Sequence, residues 1–143
     1  IKVTAIQMVS SDDLSTNLSQ AEELITSAVR EHANLIALPE NFAFMAKNEE
    51  DKLAISEEKG QGPIQEFLSR MARLHHVYLL GGTIPCKTPD PRRVTATSLL
   101  YDPNGDCVAQ YDKIHLFDVL VDSEESYQES ATVVPGHGLC VVD

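Results

Sequence analysis

Residues 35–40 have the sequence LIALPE, and this short segment does most to define the fold. Four consecutive apolar residues that end at a proline predict a short strand buried on both faces. Pro39 has no N–H to donate to a neighbouring strand, so the strand is expected to end there. Glu40 then follows the carboxyl end of a buried strand, which is the edge of an open α/β sheet where ligands usually bind.

The segments on either side of LIALPE alternate between strand and helix patterns. A β-branched run predicts a first strand, and apolar stripes at helical spacing predict two helices. A glycine followed by a proline marks the start of the second helix. The predicted elements are a strand over Ile1–Met8, a helix from Leu14 to about His32, a helix from Pro63 that buries Leu74 with its stripe, and a strand over Val77–Pro85.

The second half of the sequence predicts a hairpin, a long loop and a further strand. Strands over Thr95–Asp102 and Cys107–Ile114 are joined by Pro-Asn-Gly, which is typical of a hairpin turn. Residues 117–138 form a long polar segment, and loops of that length in a compact domain are usually functional. Leu139–Val142 begins another predicted strand. The order of elements predicts an α/β fold with mixed strand pairing and one apolar sheet face left open.

Charge and cysteine content limit the possible partners. Eleven Lys and Arg residues stand against twenty-two Asp and Glu residues, for a formal net charge of −11. Such a surface repels phosphates and anionic lipid heads, so neither nucleic acid nor a membrane is expected as a partner. The three widely spaced cysteines, Cys86, Cys107 and Cys140, are typical of reduced thiols in small core positions. With no signal peptide or membrane-spanning run, the sequence predicts a cytoplasmic protein.

Three charged residues are candidates for chemistry. Glu40 is a candidate general base, although a glutamate there could equally cap the next segment. Lys113 lies among apolar residues near the end of a predicted strand, where it could stabilise an oxyanion or simply protect a sheet edge. Glu129 lies in the long polar segment, where most glutamates are solvated, so the local pattern leaves its role open. No metal-ligand spacing or phosphate-binding glycine motif predicts a cofactor site.

Several motifs, taken in order along the chain, resemble those of one enzyme family. Residues 35–42 (LIALPENF) resemble the glutamate motif of the nitrilase superfamily, and residues 111–118 (YDKIHLFD) resemble its lysine motif. Residues 81–85 (GGTIP) and 99–105 (LLYDPNG) lie between them in the expected order. Residues 127–136 (YQESATVVPG) resemble the loop that carries the family's second glutamate. The ordered set is most similar to the Nit-type branch, which includes ω-amidase and deaminated-glutathione amidase.

The resemblance implies a fold, a reaction and a set of site residues. The fold would be the four-layer α-β-β-α sandwich of carbon–nitrogen hydrolases, with residues 1–143 forming the N-terminal half of a single domain. Glu40 would be the general base, Lys113 would stabilise the oxyanion, and Glu129 would orient both the substrate and Lys113. The implied substrate is a small carboxylate-bearing amide that releases ammonia. The family is commonly dimeric, and its thiol chemistry implies no cofactor.

The family's cysteine nucleophile has no counterpart among the matched motifs. In the family it lies in a Cys-Tyr-Asp context after the apolar strand that residues 138–142 (GLCVV) resemble, so Cys140 does not match it. We therefore expect the nucleophile beyond Asp143, and residues 1–143 alone to be inactive. The alternative is a truncated, non-catalytic relative that acts as a binding or assembly module. A third interpretation, an unrelated α/β binding domain, would require the ordered motifs to be coincidental.

Overall fold

A computed structural model describes residues 1–120 and 126–142 of the chain. Over these residues the chain alternates between short strands and helices, in an order that agrees with the predicted α/β class. The elements are β1 (Val3–Ala5), α1 (Leu14–Arg30), β2 (Leu35–Ala37), α2 (Asp51–Ala54), α3 (Pro63–His75), β3 (Tyr78–Leu80), β4 (Ile84–Lys87), β5 (Val94–Tyr101), β6 (Cys107–Asp112), β7 (Asp118–Leu120), β8 (Ser126–Gln128) and a 3-10 helix (Glu129–Ala131).

The main sheet combines parallel and antiparallel pairing, as the sequence predicted. β1, β2 and β3 are parallel neighbours, so β2 has a strand on each side. β5 is antiparallel to β3, and β4 and β6 are both antiparallel to β5. The predicted hairpin is therefore present as β5 and β6. β7 and β8 form a separate two-stranded antiparallel sheet beside the main one.

The two long helices begin and end close to their predicted positions, for local reasons. Asp13 caps α1 by accepting a hydrogen bond from the Thr16 amide, with 2.6 Å between oxygen and nitrogen. α3 begins with Pro63, where the missing N–H costs nothing. The buried Glu57 carboxylate accepts the amide N–H groups of Ile64 and Gln65 at 2.6 and 3.2 Å. Glu57 thus caps a helix whose own cap position is a glycine.

The helices cover one face of the main sheet and leave the opposite face open. Ile25 of α1 and Leu68 of α3 are fully buried in one core with Ile36 of β2. Side chains alternate between faces along a strand. On the other face, Val3 remains 57% exposed and Tyr78 41% exposed. This confirms the predicted open face, although β2 is fully buried on the helix-covered side only.

The predicted strand over Val77–Pro85 is interrupted, and this correction matters for the site. β3 ends at Leu80 and β4 starts at Ile84, so the prediction of one continuous strand is wrong. Gly82 has a φ of 47°, and a side chain there would lie 1.9 Å from the carbonyl oxygen of Pro39. The chain leaves the strand conformation in order to pass directly against the end of β2.

Other predictions in the second half of the chain are also corrected. Residues 117–138 are not a simple loop, because they contain β7, β8 and the 3-10 helix; residues 121–125 lie outside the described part. Leu139–Val142 does not form the predicted strand, and Leu139 is 88% exposed. Leu74, expected on the buried stripe of α3, is 60% exposed because it lies on the outer side of the helix end. Cys86 is buried as expected, whereas Cys107 and Cys140 are exposed.

Two features are absent from the described residues: a membrane-spanning helix and a cluster of metal-binding side chains. Within residues 1–120 and 126–142, none of the helices has both the length and the apolar character needed to cross a bilayer. Over the same ranges, no three His, Cys, Asp or Glu side chains converge in a way that could hold a metal ion.

Candidate active site

The structure brings the three predicted site residues into direct contact, although 73 residues separate Glu40 from Lys113. The Lys113 ammonium donates to Glu40 Oε1 at 2.9 Å. The same ammonium contacts both oxygens of Glu129, at 3.0 and 3.3 Å. One positive charge therefore lies between two carboxylates that come from different parts of the chain.

Glu40 is held where it is by the end of β2. The close passage of Gly82 against Pro39 fixes the backbone immediately before it. After it, the Asn41 amide donates to Thr83 Oγ1 at 3.0 Å, and Phe42 is completely buried. The prediction that Glu40 emerges beyond the carboxyl end of a buried strand is confirmed in position. Its side chain is 53% exposed, so the carboxylate faces open space rather than the core.

Lys113 extends from the end of β6 with its backbone held on both sides. Its amide donates to the Ala96 carbonyl at 2.9 Å, which continues the pairing of β5 with β6 by one residue. Its own carbonyl accepts the Gly136 amide at 2.9 Å. This backbone is therefore rigid, and the lysine is not the exposed gatekeeper of a free sheet edge. Its side chain is only 23% exposed.

Glu129 is the most deeply placed member of the site, because the 3-10 helix directs it inward. Its side chain is 10% exposed. Glu129 Oε2 accepts the Phe117 amide at 2.6 Å, and the Glu129 amide donates back to the Phe117 carbonyl at 3.2 Å. Arg93 holds the same turn, because its guanidinium donates to the carbonyls of Ser130 and Val133 at 2.9 and 2.8 Å. The solvated-glutamate interpretation is wrong for this residue.

The surroundings of Lys113 keep it protonated. Partial burial acts to lower the pKa of Lys113, since a desolvated ammonium is less stable than a neutral amine. Hydrogen bonds and charge from Glu40 and Glu129 act in the opposite direction and prevail, so its pKa lies above the ordinary lysine value. An ammonium with fixed neighbours can stabilise negative charge that develops on a bound oxygen.

The three residues line one pocket, and sequence patterns missed part of its wall. The pocket has a volume of about 330 Å³, which is large enough for a small metabolite. Glu49 and Lys52 line it: Lys52 belongs to the short helix α2, which the sequence patterns did not predict, and Glu49 lies in the turn just before that helix. One sequence signal could have found this helix: Asn48 is followed three positions later by Asp51, which is the spacing of a helix capping box. In the structure the Asn48 amide donates to the Asp51 carboxylate at 2.9 Å. The pocket is lined by Glu40, Asn41, Glu49, Lys52, Lys113, Phe117, Tyr127, Gln128 and Glu129.

No cysteine is among the residues that line this pocket in the described part of the chain. Cys86 is buried in β4, and burial raises the pKa of its thiol. Cys107 is exposed on β6, and desolvation likewise raises the pKa of its thiol. Cys140 is exposed in the terminal segment. Neither Cys86 nor Cys107 has the lowered pKa of an activated thiol. The pocket residues in the described part of the chain therefore provide carboxylates and ammonium groups but no cysteine nucleophile.

Comparison with known proteins identifies the class that this fold and site define. The family model described as carbon-nitrogen hydrolase matches residues 2–143. A deaminated glutathione amidase of Synechocystis sp. is 43% identical over 133 residues, which cover 92% of this chain and 48% of that protein. Omega-amidase NIT2-A of Xenopus laevis is 34% identical over 142 residues, covering 99% of this chain and 50% of that protein. The crystal structure of the C. elegans NitFhit protein superposes with a TM-score of 0.82 at 27% identity, covering 94% of this chain and 33% of that one.

The chain belongs to the carbon–nitrogen hydrolase family, in the Nit-type branch of the nitrilase superfamily. This confirms the family resemblance of the motifs. The chain spans about half the length of the curated relatives it matches.

Proposed function

We propose that the protein hydrolyses the C–N bond of a small, carboxylate-bearing amide and releases ammonia. The observation that carries the proposal is the Lys113 ammonium, which lies between the Glu40 and Glu129 carboxylates in a pocket of about 330 Å³. The similarity to deaminated glutathione amidase and omega-amidase supports an amide with a carboxylate as the substrate. The activity is proposed for a cytoplasmic homodimer.

In the proposed first half-reaction, Glu40 accepts the proton of a cysteine thiol while the sulfur attacks the amide carbon. The carbonyl oxygen becomes an oxyanion, which Lys113 stabilises by charge and hydrogen bonding. The C–N bond then breaks, and the nitrogen leaves as ammonia after it takes the proton from Glu40. Glu129 keeps Lys113 in position throughout.

In the second half-reaction, a water molecule attacks the thioester and gives a proton to Glu40. The C–S bond breaks, the carboxylic acid product leaves, and the thiolate recovers the proton. The thiol is assigned to a cysteine beyond residues 1–143, since none of Cys86, Cys107 and Cys140 lines the pocket. Residues 1–143 alone are therefore proposed to be inactive.

Ammonia release by the full-length protein tests this function, with succinamate as substrate and two site variants. Glu40→Gln removes the proton acceptor, and Lys113→Ala removes the charge that stabilises the oxyanion. We expect each to lower kcat/KM by at least about 100-fold, the scale of general-base and oxyanion contributions. Circular dichroism should show that both variants keep the fold.

Two outcomes would contradict parts of the proposal. Near-normal rates in either variant would remove that residue from the mechanism. No ammonia from the wild-type protein on a panel of small amides would overturn the activity. That last outcome would favour the non-catalytic binding or assembly module.

A further inference from the structure

A second lysine lines the pocket, and the mechanism above does not use it. Lys52 lies in the short helix α2, and its side chain is only 12% exposed. It lines the same pocket as Glu40, Lys113 and Glu129. A lysine held this far from solvent is unusual, because desolvation of an ammonium is costly unless opposite charge or hydrogen bonds compensate for it.

Little opposite charge offsets the cost of burying the Lys52 ammonium. Its ammonium donates to Glu49 Oε2 at 2.7 Å. Over the described part of the chain, this is the one carboxylate within ion-pair distance of Lys52. Glu49 is itself 43% exposed and also accepts a hydrogen bond from Thr132 Oγ1 at 3.3 Å. An ammonium has three donors, so Lys52 retains donors for a further acceptor in the pocket.

The two pocket lysines therefore differ in what they can still bind. Lys113 already contacts two carboxylates, those of Glu40 and Glu129. Lys52 contacts one. A second carboxylate at Lys52, supplied by a ligand, would reproduce the arrangement that the protein has built around Lys113. The remaining wall includes the rings of Phe117 and Tyr127, whose centroids are 6.0 Å apart, and an aliphatic chain can pack against them.

We propose that Lys52 is the specificity-determining residue that binds the substrate's carboxylate, so that the pocket selects amides with an anionic group distant from the amide. The proposal rests on the proposed function, because it assigns the other end of the same substrate. Glu49 Oε2 accepts hydrogen bonds from both Lys52 and Thr132, and the Thr132 amide donates to the Glu129 carbonyl. The lysine that binds the substrate's carboxylate and the site that binds its amide would thus be linked by hydrogen bonds through Glu49, Thr132 and Glu129.

The test compares an anionic and a neutral amide of the same length. Wild type, Lys52→Met and Lys52→Arg are assayed in the full-length protein for ammonia release from succinamate and from butyramide. Lys52→Met should raise the KM for succinamate and lower the preference for succinamate over butyramide by about 10- to 100-fold, the scale of one charged hydrogen bond. Lys52→Arg, which keeps the charge, should recover most of the preference.

Lys87→Met provides the matched control. Lys87 is a half-exposed lysine paired with Glu58, outside the pocket, and its loss should leave the preference within about twofold of wild type. Thermal denaturation of each variant separates loss of fold from loss of specificity. A preference that stays within about twofold of wild type in Lys52→Met would overturn the assignment.

Binding of succinate, measured by calorimetry, separates this proposal from the proposed function. If the wild-type protein released no ammonia from either amide, the activity would fail, but the binding measurement would still decide the role of Lys52. The expected result is a Kd for succinate that rises by about 10- to 100-fold in Lys52→Met. Equal Kd values in the two proteins, or no binding to the wild type, would overturn the role of Lys52 as the carboxylate-binding residue.

Discussion

Replacement of Glu129 by glutamine gives the most informative test of how the site is organised. The glutamine side chain has nearly the same shape, but an amide NH2 group, which is a donor, takes the place of one carboxylate oxygen. Glu129 Oε2 accepts both the Phe117 amide at 2.6 Å and the Lys113 ammonium at 3.0 Å, so a glutamine that keeps this oxygen replaces the other one, which had accepted from Lys113 at 3.3 Å. A donor then faces a donor at that position, and Lys113 loses one of its contacts with residue 129 together with the negative charge that strengthened the other.

The size of the effect follows from these contacts. A hydrogen bond between charged groups contributes about 1.5 to 3 kcal/mol. If the bond holds Lys113 where the oxyanion forms, kcat/KM should fall by about 10- to 150-fold. The loss should be smaller than in Lys113→Ala, because the ammonium is still present and still bound to Glu40.

The pH profile distinguishes this positioning role from a general loss of structure. Burial lowers the pKa of Lys113, and the two carboxylates raise it above its ordinary value. With residue 129 neutral, its negative charge no longer opposes the effect of burial, so the pKa of Lys113 falls. Because the protonated lysine is the active form, activity is lost as the pH rises through this pKa. The alkaline limb of kcat/KM against pH should therefore move to lower pH in Glu129→Gln.

Glu50→Gln is the matched control, since Glu50 is an exposed carboxylate that does not line the pocket. It should leave both the rate and the alkaline limb unchanged. A Glu129→Gln variant with kcat/KM within about threefold of wild type and an unmoved alkaline limb would refute the coupling between Glu129 and Lys113.

Two further predictions concern stability. Glu57→Ala should lower the free energy of unfolding by about 2 to 5 kcal/mol, because two buried amides at the start of α3 lose their acceptor. Urea titration measures this change, and Glu58→Ala, at an exposed neighbouring position, should change the free energy of unfolding by less than about 1 kcal/mol. Equal changes in the two variants would contradict the capping role of Glu57. An isolated polypeptide of residues 1–143 should aggregate or need a partner, because Val3 and Tyr78 lie on an uncovered apolar face. Exposure of roughly 400 Å² of apolar surface to water costs about 10 kcal/mol of free energy. Size-exclusion chromatography and calorimetry that showed a monomer with a sharp thermal transition would contradict this second prediction.

The sequence predicted the parts of the fold that depend on local patterns. LIALP and its proline placed Glu40 at the end of a strand, because the apolar run and the missing N–H act within a few residues. The break between β3 and β4 was not predictable in this way, since it depends on Gly82 passing against Pro39, more than forty residues earlier in the chain. Leu139–Val142 has strand-like composition, but β propensity is expressed only where a neighbouring strand can pair.

The site was predictable to a similar extent. Local patterns made Glu40, Lys113 and Glu129 candidates but left the role of each open, and only the ordered family motifs associated the three. Helix α2 was missed because four residues are too few for a helical stripe, and Lys52 was missed with it. Its low exposure depends on Glu49 and on the turn after Glu129, which are contacts across the fold.

The two carboxylates beside Lys113 differ in ways that support different roles for them. Glu129 is 10% exposed and accepts bonds from both Lys113 and the Phe117 amide, so any movement of its oxygens would break a buried contact. Glu40 is 53% exposed, and among the described residues its carboxylate contacts Lys113 alone. A general base must turn between the nucleophile, the leaving nitrogen and water, which requires freedom that Glu129 lacks. A positioning residue must be held in place by several contacts, and the exposed Glu40 side chain has only its contact with Lys113 among the described residues. Burial thus favours Glu40 as the group that carries protons and Glu129 as the group that fixes the lysine.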